Sequence, residues 1–378
     1  MPRYCVWIAV VVAVAGCGGG DHRESAAHAG APTLTDALAR TLDAQFRREV
    51  TLAGIPGASA AIVFPDGREW SLAVGAAELK PRVAMTTRTS FHFASVTKMA
   101  TAALALRLAE QGRLGLDDPI IRWYRAWRGD RSATVRDLLG HTAGAKDPTD
   151  TALARLDRRG RPLTVRAYIG AAARPGPRTT QAEYSNVGFV IAGIVLARAA
   201  REPLAQAMRS RVFNAPGGAE LALQPDQRPH PPVVHNYSYP HGLGDPVDLS
   251  DGSGLIPNRG YLAGTFVGSV GLAGDVPSLA RWGRALLGDG LLSPGSLRAM
   301  TRFHDMPSEY GYGLGLYRDD LDGHLMWGHP GAGIGGHSEL WHLPHDRITI
   351  AVAWNDDGLP RAATPFHLSL LRTTLASH

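Results

Sequence analysis

The chain has 378 residues, 44% of them hydrophobic and 19% charged, which is enough apolar material for a large core and too much for a disordered chain. Its formal charge of +5 is scattered among arginines, with no basic block and no aromatic–basic alternation, so the composition argues against nucleic-acid binding. The only cysteines are Cys5 and Cys17, which leaves no cysteine nucleophile, disulfide framework or cysteine-rich zinc site for a folded domain.

The first segment, "MPRYCVWIAVVVAVAGCGGG", has one early charge, Arg3, and then an uncharged run from Tyr4 to Gly16. That run is short for a bilayer span and suits the apolar centre of a signal peptide. Val14-Ala15-Gly16-Cys17 resembles the bacterial lipobox, which implies residues 1–17 as a lipoprotein-type signal with Cys17 as the lipidated residue. A generic secretory signal or a short uncleaved anchor is the alternative. Residues 18–31 begin with three glycines and suit a flexible tether. The expected location is therefore the cell envelope, on the extracytoplasmic or periplasmic side of a membrane that holds the lipid.

Residues 32–378 then read as one domain. "PTLTDALARTLDAQFRREV" spaces Leu34, Leu38, Leu42 and Phe46 at helical intervals, with Thr33 or Thr35 as cap. "ASAAIVFPDGREWSLAVGAAEL" predicts a hairpin turning at Pro65-Asp66-Gly67. A helix from Ser95 to about Gln111 stops at Gly112, and residues 113–222 follow as mostly helical. Within them "NVGFVIAGIVLARAA" is the most apolar helix, read as buried because arginine arrives too soon for a membrane span.

Residues 223–263 lack periodicity, and a loop of that length suits the border of a binding site. "DVPSLARWGRALLG" and "SPGSLRAMTRF" restore helices. "YGYGLGLYRD", "HLMWGHPGAG", "GHSELWHLP" and "RITIAVAWND" predict an antiparallel meander, with a turn at 344–347 and a closing helix from about Pro365 to Leu375. Strands at both ends with helices between them predict an α/β (α+β) fold. An antiparallel sheet flanked by helices would carry an inserted, mostly helical subdomain at about 113–264, with a cleft where the two meet.

The chemistry begins at "FHFASVTKMATAALALRLAEQG". Only Lys80, Lys98 and Lys146 are lysines among 39 basic residues, so lysine at 98 stands against a strong bias. Arginine keeps its proton in a protein, whereas burial can push a lysine toward neutrality. Bringing an amine from about 10.4 down to neutral pH takes about 4 kcal/mol of differential interaction, within reach of burial. A helix starting at Ser95 puts Lys98 one turn on, on the same face, with the serine in the positive field of the helix N-terminus.

Two later stretches join this pair: "AEYSNVGFV", with Tyr184-Ser185-Asn186, and "WGHPGAGIGGHSELW", with His329-Pro330-Gly331. The ordered set S-x-x-K, Y-x-N, H-x-G resembles the β-lactamase-related serine hydrolases, which include class C β-lactamases, serine D-alanyl-D-alanine carboxypeptidases, esterases and D-aminopeptidases. "TVRDLLGHTAG", "GSVGLAGDVPSLARW" and "YGYGLGLY" extend the likeness over about residues 33–370. The resemblance implies a β-lactamase/transpeptidase-like fold and an acyl-enzyme on Ser95, with Lys98 and Tyr184 sharing its proton and the base left open between them. It implies that Asn186 holds Lys98 and the substrate amide. The backbone N–H groups of Ser95 and Ala332, beside Gly331, would form the oxyanion hole, and His329 would line the site electrostatically. Neither metal nor cofactor is required.

Two features depart from that pattern. Hydroxyl side chains that relatives place beside the motif glycine to grip a substrate carboxylate are replaced here by Pro330 and Ala332. Tyr317 stands where some relatives have arginine, with Arg318 adjacent. Phe266 and the "HNYSYPHG" loop offer aromatic walls for an acyl pocket, or ordinary core packing.

Competing constellations are weaker. Strand alternation sends His337 and His342 to opposite faces, and Pro344 puts His345 at a turn, which disfavours a metal site. Val267 breaks the nearest approach to a G-x-S-x-G elbow around Ser269, and His141 suits bracing a turn. The expected activity is that of a D-alanyl-D-alanine carboxypeptidase or β-lactamase, acting on an acyl-D-Ala-D-Ala peptide, a β-lactam or an ester. An esterase or D-aminopeptidase on the same scaffold, or a non-catalytic cell-wall peptide binder, is the rival.

Overall fold

Thr35 accepts the Leu38 N–H at 3.1 Å and so starts helix α1 (Asp36–Ala53), which Gly54 ends in a left-handed conformation at φ +66°. Leu34 precedes this helix, whereas Leu38, Leu42, Phe46 and Val50 form its buried stripe. In the computed structural model the described residues are 32–157, 164–239, 245–254, 266–306, 310–356 and 364–377. The expected signal, the tether and Cys17 lie outside them.

Strands β1 (Gly57–Val63) and β2 (Glu69–Leu79) form a hairpin about residues 65–67, and β3 (Arg82–Ala84) adds an edge. After β4 (Ser90–His92) the chain enters α2 (Thr97–Glu110). The helical region follows as α3 (Ile120–Trp123), α4 (Val135–Leu139), α5 (Asp150–Asp157), α6 (Val165–Ala171), α7 (Asn186–Ala200) and α8 (Leu204–Arg211). Short strands β5 (Ala222–Leu223), β6 (Tyr237–Ser238), β7 (Val247–Asp248) and β8 (Leu272–Asp275) lead to α9 (Val276–Leu287) and α10 (Pro294–Met300). The meander is β9 (His304–Asp305), β10 (Gly311–Tyr312), β11 (Tyr317–Leu321), β12 (His324–Gly333), β13 (Gly336–Leu343) and β14 (Ile348–Trp354), closed by α11 (Phe366–Leu375).

Antiparallel pairing of β1 with β14, in the register Ala58 to Trp354, joins the two ends of the chain in one sheet of order β3-β2-β1-β14-β13-β12-β11-β10-β9. Both β1 and β14 are buried along their whole length because each face is covered. On one side Phe46 of α1 and Phe366 of α11 pack edge to face at 5.8 Å among Ile62, Ile350 and Val352. On the other, α9 and the helical region share a larger core that runs through α2 and α7. Among the described residues no helix is long and apolar enough to cross a membrane, and α7 lies inside that core.

One expected strand is something else. "YGYGLGLYRD" is a hairpin, β10 to β11, turning through residues 313–316, rather than a single extended run. The turn is pressed inward: a side chain on Gly313 would meet Met300 O at 2.2 Å, and one on Gly315 would meet Lys98 O at 2.5 Å. Gly315, at φ +75°, also donates its N–H to Leu139 O at 3.0 Å. Periodicity cannot register that kind of backbone-to-backbone contact.

Arg284 of α9 is buried and pins the two hairpin turns at the base of the sheet. It donates to Phe64 O at 2.7 Å, Pro65 O at 3.2 Å and Arg347 O at 3.1 Å, and pairs with Asp289 at 2.9 Å. Arg284→Met removes a donor from each of those carbonyls, of which Phe64 O keeps only the Gly67 N–H at 3.0 Å, so we expect a loss of about 3 kcal/mol of stability in denaturant unfolding. An unchanged midpoint and slope would show that the turns hold without it.

Candidate functional site

Ser95 sits in a short 3₁₀ turn, Ala94–Val96, at the mouth of α2, and Ala94 before it takes the unusual φ of +42°. The turn is tied down on both sides. Phe93 N–H donates to Leu272 O at 2.8 Å, and Thr97 Oγ1 donates to Ala94 O at 2.5 Å while accepting Leu272 N–H at 2.9 Å. The α-helix proper begins at Thr97, yet the i, i+3 relation still brings Lys98 Nζ to 3.1 Å from Ser95 Oγ. Tyr184 Oη donates to the same Ser95 Oγ at 2.9 Å. Two side chains from separate stretches thus converge on one hydroxyl.

Lys98 has no exposed surface. Its ammonium donates to Asn186 Oδ1 at 2.9 Å and to the Ser269 carbonyl at 3.3 Å, and lies 4.8 Å from the Tyr184 ring centre. Burial brings the amine down to about 7, with Asp147 pulling the other way. Burial also raises the Tyr184 phenol well above its ordinary range, followed by the effect of Tyr317. Tyr184 keeps 37% exposure on the cleft side, where water weakens that shift without reversing it. Near neutral pH the amine can therefore take a proton, while the phenol keeps its own and donates.

Asn186 opens α7, with Ser185 as cap accepting the Gly188 N–H at 3.1 Å. Its Oδ1 also accepts from Ser269 Oγ at 2.9 Å, and its Nδ2 donates to Asp147 at 3.1 Å, so one hydrogen of the amide expected to meet substrate is already engaged. Ser269, read from sequence as a failed elbow, lies in a segment (Phe266–Val270) clamped where Gly268 abuts the Phe189 carbonyl and Thr101 donates to Gly268 O at 2.7 Å. The Phe266 side chain lies outside the described residues, as do residues 240–244 and 255–265 of the long loop. In its described part Tyr237 is buried, with its hydroxyl accepting Leu79 N–H at 2.8 Å, which is core packing.

The other wall is β12. Its pairing with β11 stops at Gly328, so residues 329–333 present a free edge toward the Ser95 turn. A side chain on Gly331 would lie 2.3 Å from Ser338 Oγ and 2.4 Å from Phe93 O, and Ser338 Oγ donates to that same carbonyl at 2.9 Å. Glycine at 331 is thus what lets the strand approach the serine, and the exposed Ala332 follows it toward the cleft. His329, expected to line the site electrostatically, is buried. Burial, then Lys98, lower it to about 3, and both ring nitrogens are used, one at 2.5 Å from Pro330 O and one at 3.3 Å from Tyr312 Oη. The expected electrostatic role is therefore that of a neutral ring. Tyr317 packs on it at 4.9 Å, while the exposed Arg318 lies over Phe303 at 5.5 Å.

His141 has φ +60° and accepts the Ser185 N–H at 3.2 Å, with its ring 4.5 Å from both Tyr184 and Tyr312, so it braces this aromatic cluster. His337 stacks on Trp354 at 5.1 Å while His342 bonds Thr349 at 2.9 Å, and among the described residues no group of three metal-ligating side chains occurs. Sequence reasoning missed Asp147, Ser269 as an anchor, Tyr312 and the Phe93–Ser338 contact. None carries a local signal, because each acts through partners that lie beyond its own element, from 17 residues away for Tyr312 and His329 to 245 for Phe93 and Ser338.

Gly331→Ala should push the Ser95 turn and β12 apart. A displacement of about 1 Å should lower acylation by a reactive ester about 100-fold, and the overpacked contact should also lower stability by about 1–3 kcal/mol in thermal unfolding. Wild-type acylation in that variant would show that the close approach is dispensable.

A family model described as Beta-lactamase matches residues 42–372. The chain is 29% identical over 344 residues to penicillin-binding protein 4 of Amycolatopsis lactamdurans, covering 85% of each. It is 23% identical over 316 residues to a D-aminopeptidase of Brucella anthropi, covering 80% of this chain and 56% of that relative. In fold it is similar to a D-stereospecific amidohydrolase from Streptomyces sp., with a TM-score of 0.73, 24% identity, and coverage of 91% of this chain and 100% of that one. The match over most of the chain carries the conclusion: the chain belongs to the Beta-lactamase family and is a serine hydrolase of that fold.

Proposed function

We propose that Ser95 is the nucleophile of this hydrolase and Lys98 its general base. The observation that carries the reading is the convergence of Lys98 Nζ at 3.1 Å and Tyr184 Oη at 2.9 Å on Ser95 Oγ. Ser95 Oγ attacks the substrate carbonyl as its proton passes to the neutral amine of Lys98. The oxyanion sits at the backbone N–H groups of Ser95 and Ala332. Collapse expels the leaving group, which takes its proton from the Lys98 ammonium through Tyr184, and leaves an ester on Ser95. Water then attacks that ester with the amine again as base, regenerating Ser95 and releasing the acid.

The substrates we favour have an uncharged leaving group: a D-amino-acid amide or an ester. Pro330 and Ala332 supply no hydroxyl for a carboxylate, and His329 is neutral, with both nitrogens occupied. The D-aminopeptidase relative is consistent with this preference. D-alanyl-D-alanine carboxypeptidase or β-lactam chemistry is the second reading, supported by the likeness to penicillin-binding protein 4 across 85% of both chains. A pure cell-wall peptide binder has no use for a lysine buried beside a serine hydroxyl. We also infer an envelope location through lipid on Cys17, from the apolar run that ends in Val14-Ala15-Gly16-Cys17.

A panel of p-nitrophenyl esters, D-amino-acid amides, nitrocefin and D-alanyl-D-alanine peptides separates these substrates. Ser95→Ala should lower every turnover by about 10⁴-fold or more and remove labelling by a fluorophosphonate. Lys98→Arg should be nearly as damaging, since it keeps charge without proton exchange. Protonation of the base removes activity, so kcat/KM in wild type should fall about tenfold per pH unit below about 7. Labelling that survives Ser95→Ala, or a flat profile between pH 5 and 8, contradicts the assignment. For the envelope, mass spectrometry of the membrane fraction should find acylated Cys17, and an unacylated cysteine there refutes the anchor.

A further inference from the structure

Asp147 lies in the loop between α4 and α5, against the first turn of α7, and belongs to none of the motifs that reveal the site. Both of its oxygens are fully used. Oδ1 accepts from Ser185 Oγ at 2.8 Å and Val187 N–H at 2.9 Å, while Oδ2 accepts from Asn186 N–H at 3.0 Å and Asn186 Nδ2 at 3.1 Å. A carboxylate can only accept, so it fixes which end of the Asn186 amide faces it. The amide nitrogen must turn to Asp147, and the amide oxygen is thereby turned to Lys98 Nζ and Ser269 Oγ.

We propose that Asp147 is the positioning residue that sets the basicity of Lys98, by locking the Asn186 amide oxygen onto the amine and by holding a negative charge behind it. This rests on the reading of Lys98 as the base. The other titratable groups around the amine leave Asp147 as the charge that opposes burial. Burial first, then Lys98, lower His141 and His329, so both rings are neutral. Tyr184 and Tyr312 are phenols raised well above their ordinary range by burial, and neither carries charge at neutral pH. Coulombic attraction from Asp147 raises Lys98 against the larger desolvation effect, so removing it moves Lys98 lower still. Two local effects on one amine are thus balanced near the pH at which a general base works best.

The test needs no knowledge of the natural substrate. With ¹³C-lysine labelling, three lysines give three Cε resonances, and the one lost in Lys98→Arg reports the titration of Lys98. The pH dependence of the fluorophosphonate labelling rate is measured on the same samples. In Asp147→Asn the Lys98 titration and the acid limb of labelling should both move down by about one pH unit. Asp147→Ser, which keeps a capping acceptor without charge, should move them similarly, and Asp147→Glu should restore most of the shift. If Asp147 only caps α7, then Asp147→Asn or Asp147→Ser lowers the unfolding temperature and leaves both titrations where wild type has them, which overturns the proposal. Should Asp147→Asn fail to fold, Asp147→Ser carries the same decision. Labelling that survives Ser95→Ala would instead remove the underlying hydrolase assignment, a result independent of the lysine titration.

Discussion

A lysine ammonium with no exposed surface is the constraint from which the site follows. Burying an amine penalises its charged form by several kcal/mol unless acceptors surround it, and α2, an apolar helix, supplies none from its own side chains near Lys98. The acceptors come from elsewhere: the amide of Asn186, the carbonyl of Ser269 and the hydroxyl of Ser95. Each is neutral, so none restores the charge as fully as a carboxylate in direct contact would. The amine is left able to give up its proton near neutral pH, beside the Ser95 hydroxyl.

Meeting that constraint requires the chain ends to close on each other. β1 and β14 pair along their length, which carries the C-terminal meander to the turn that bears Ser95. Once there, approach is decided by missing side chains. Gly331 lets β12 touch the Phe93 carbonyl, Gly315 lets the β10–β11 turn touch the Lys98 carbonyl, and Gly268 lets the Ser269 segment touch α7. These contacts surround the Ser95–Lys98 turn from three sides, and each is a place where a single methyl group would hold two backbones apart.

The surrounding aromatic groups do different work. Tyr184, Tyr312, Tyr317, His141 and His329 stack within 6.4 Å of their neighbours and stay uncharged, which keeps the dielectric low around the amine. The cost is that this wall offers no fixed positive charge to a substrate carboxylate. Basic groups at the rim are engaged elsewhere, Lys146 with Glu183 and Arg318 over Phe303. The proposed preference for uncharged leaving groups and the proposed role of Lys98 as base rest on this same neutrality.

The sequence by itself determined the candidates for the reacting groups and the outline of the fold. Lysine at 98 in an arginine-rich chain, Ser95 three residues before it, Tyr184 and His329 are readable because reactivity is a property of residue type and short spacing. The helical spacing of Leu38, Leu42 and Phe46 and the turn at Pro65-Asp66-Gly67 likewise made α1 and the first hairpin legible, because both signals are local. Only the tertiary structure decided the rest. Asp147 orients Asn186 across 39 residues, Ser338 meets Phe93 across 245, and the "GLGL" stretch folds into a turn because helix α2 lies beneath it. Even the neutrality of His329 is set by what covers it rather than by what flanks it. Contacts between backbones and the dielectric around a side chain depend on which distant segments arrive, and that information has no period along the chain.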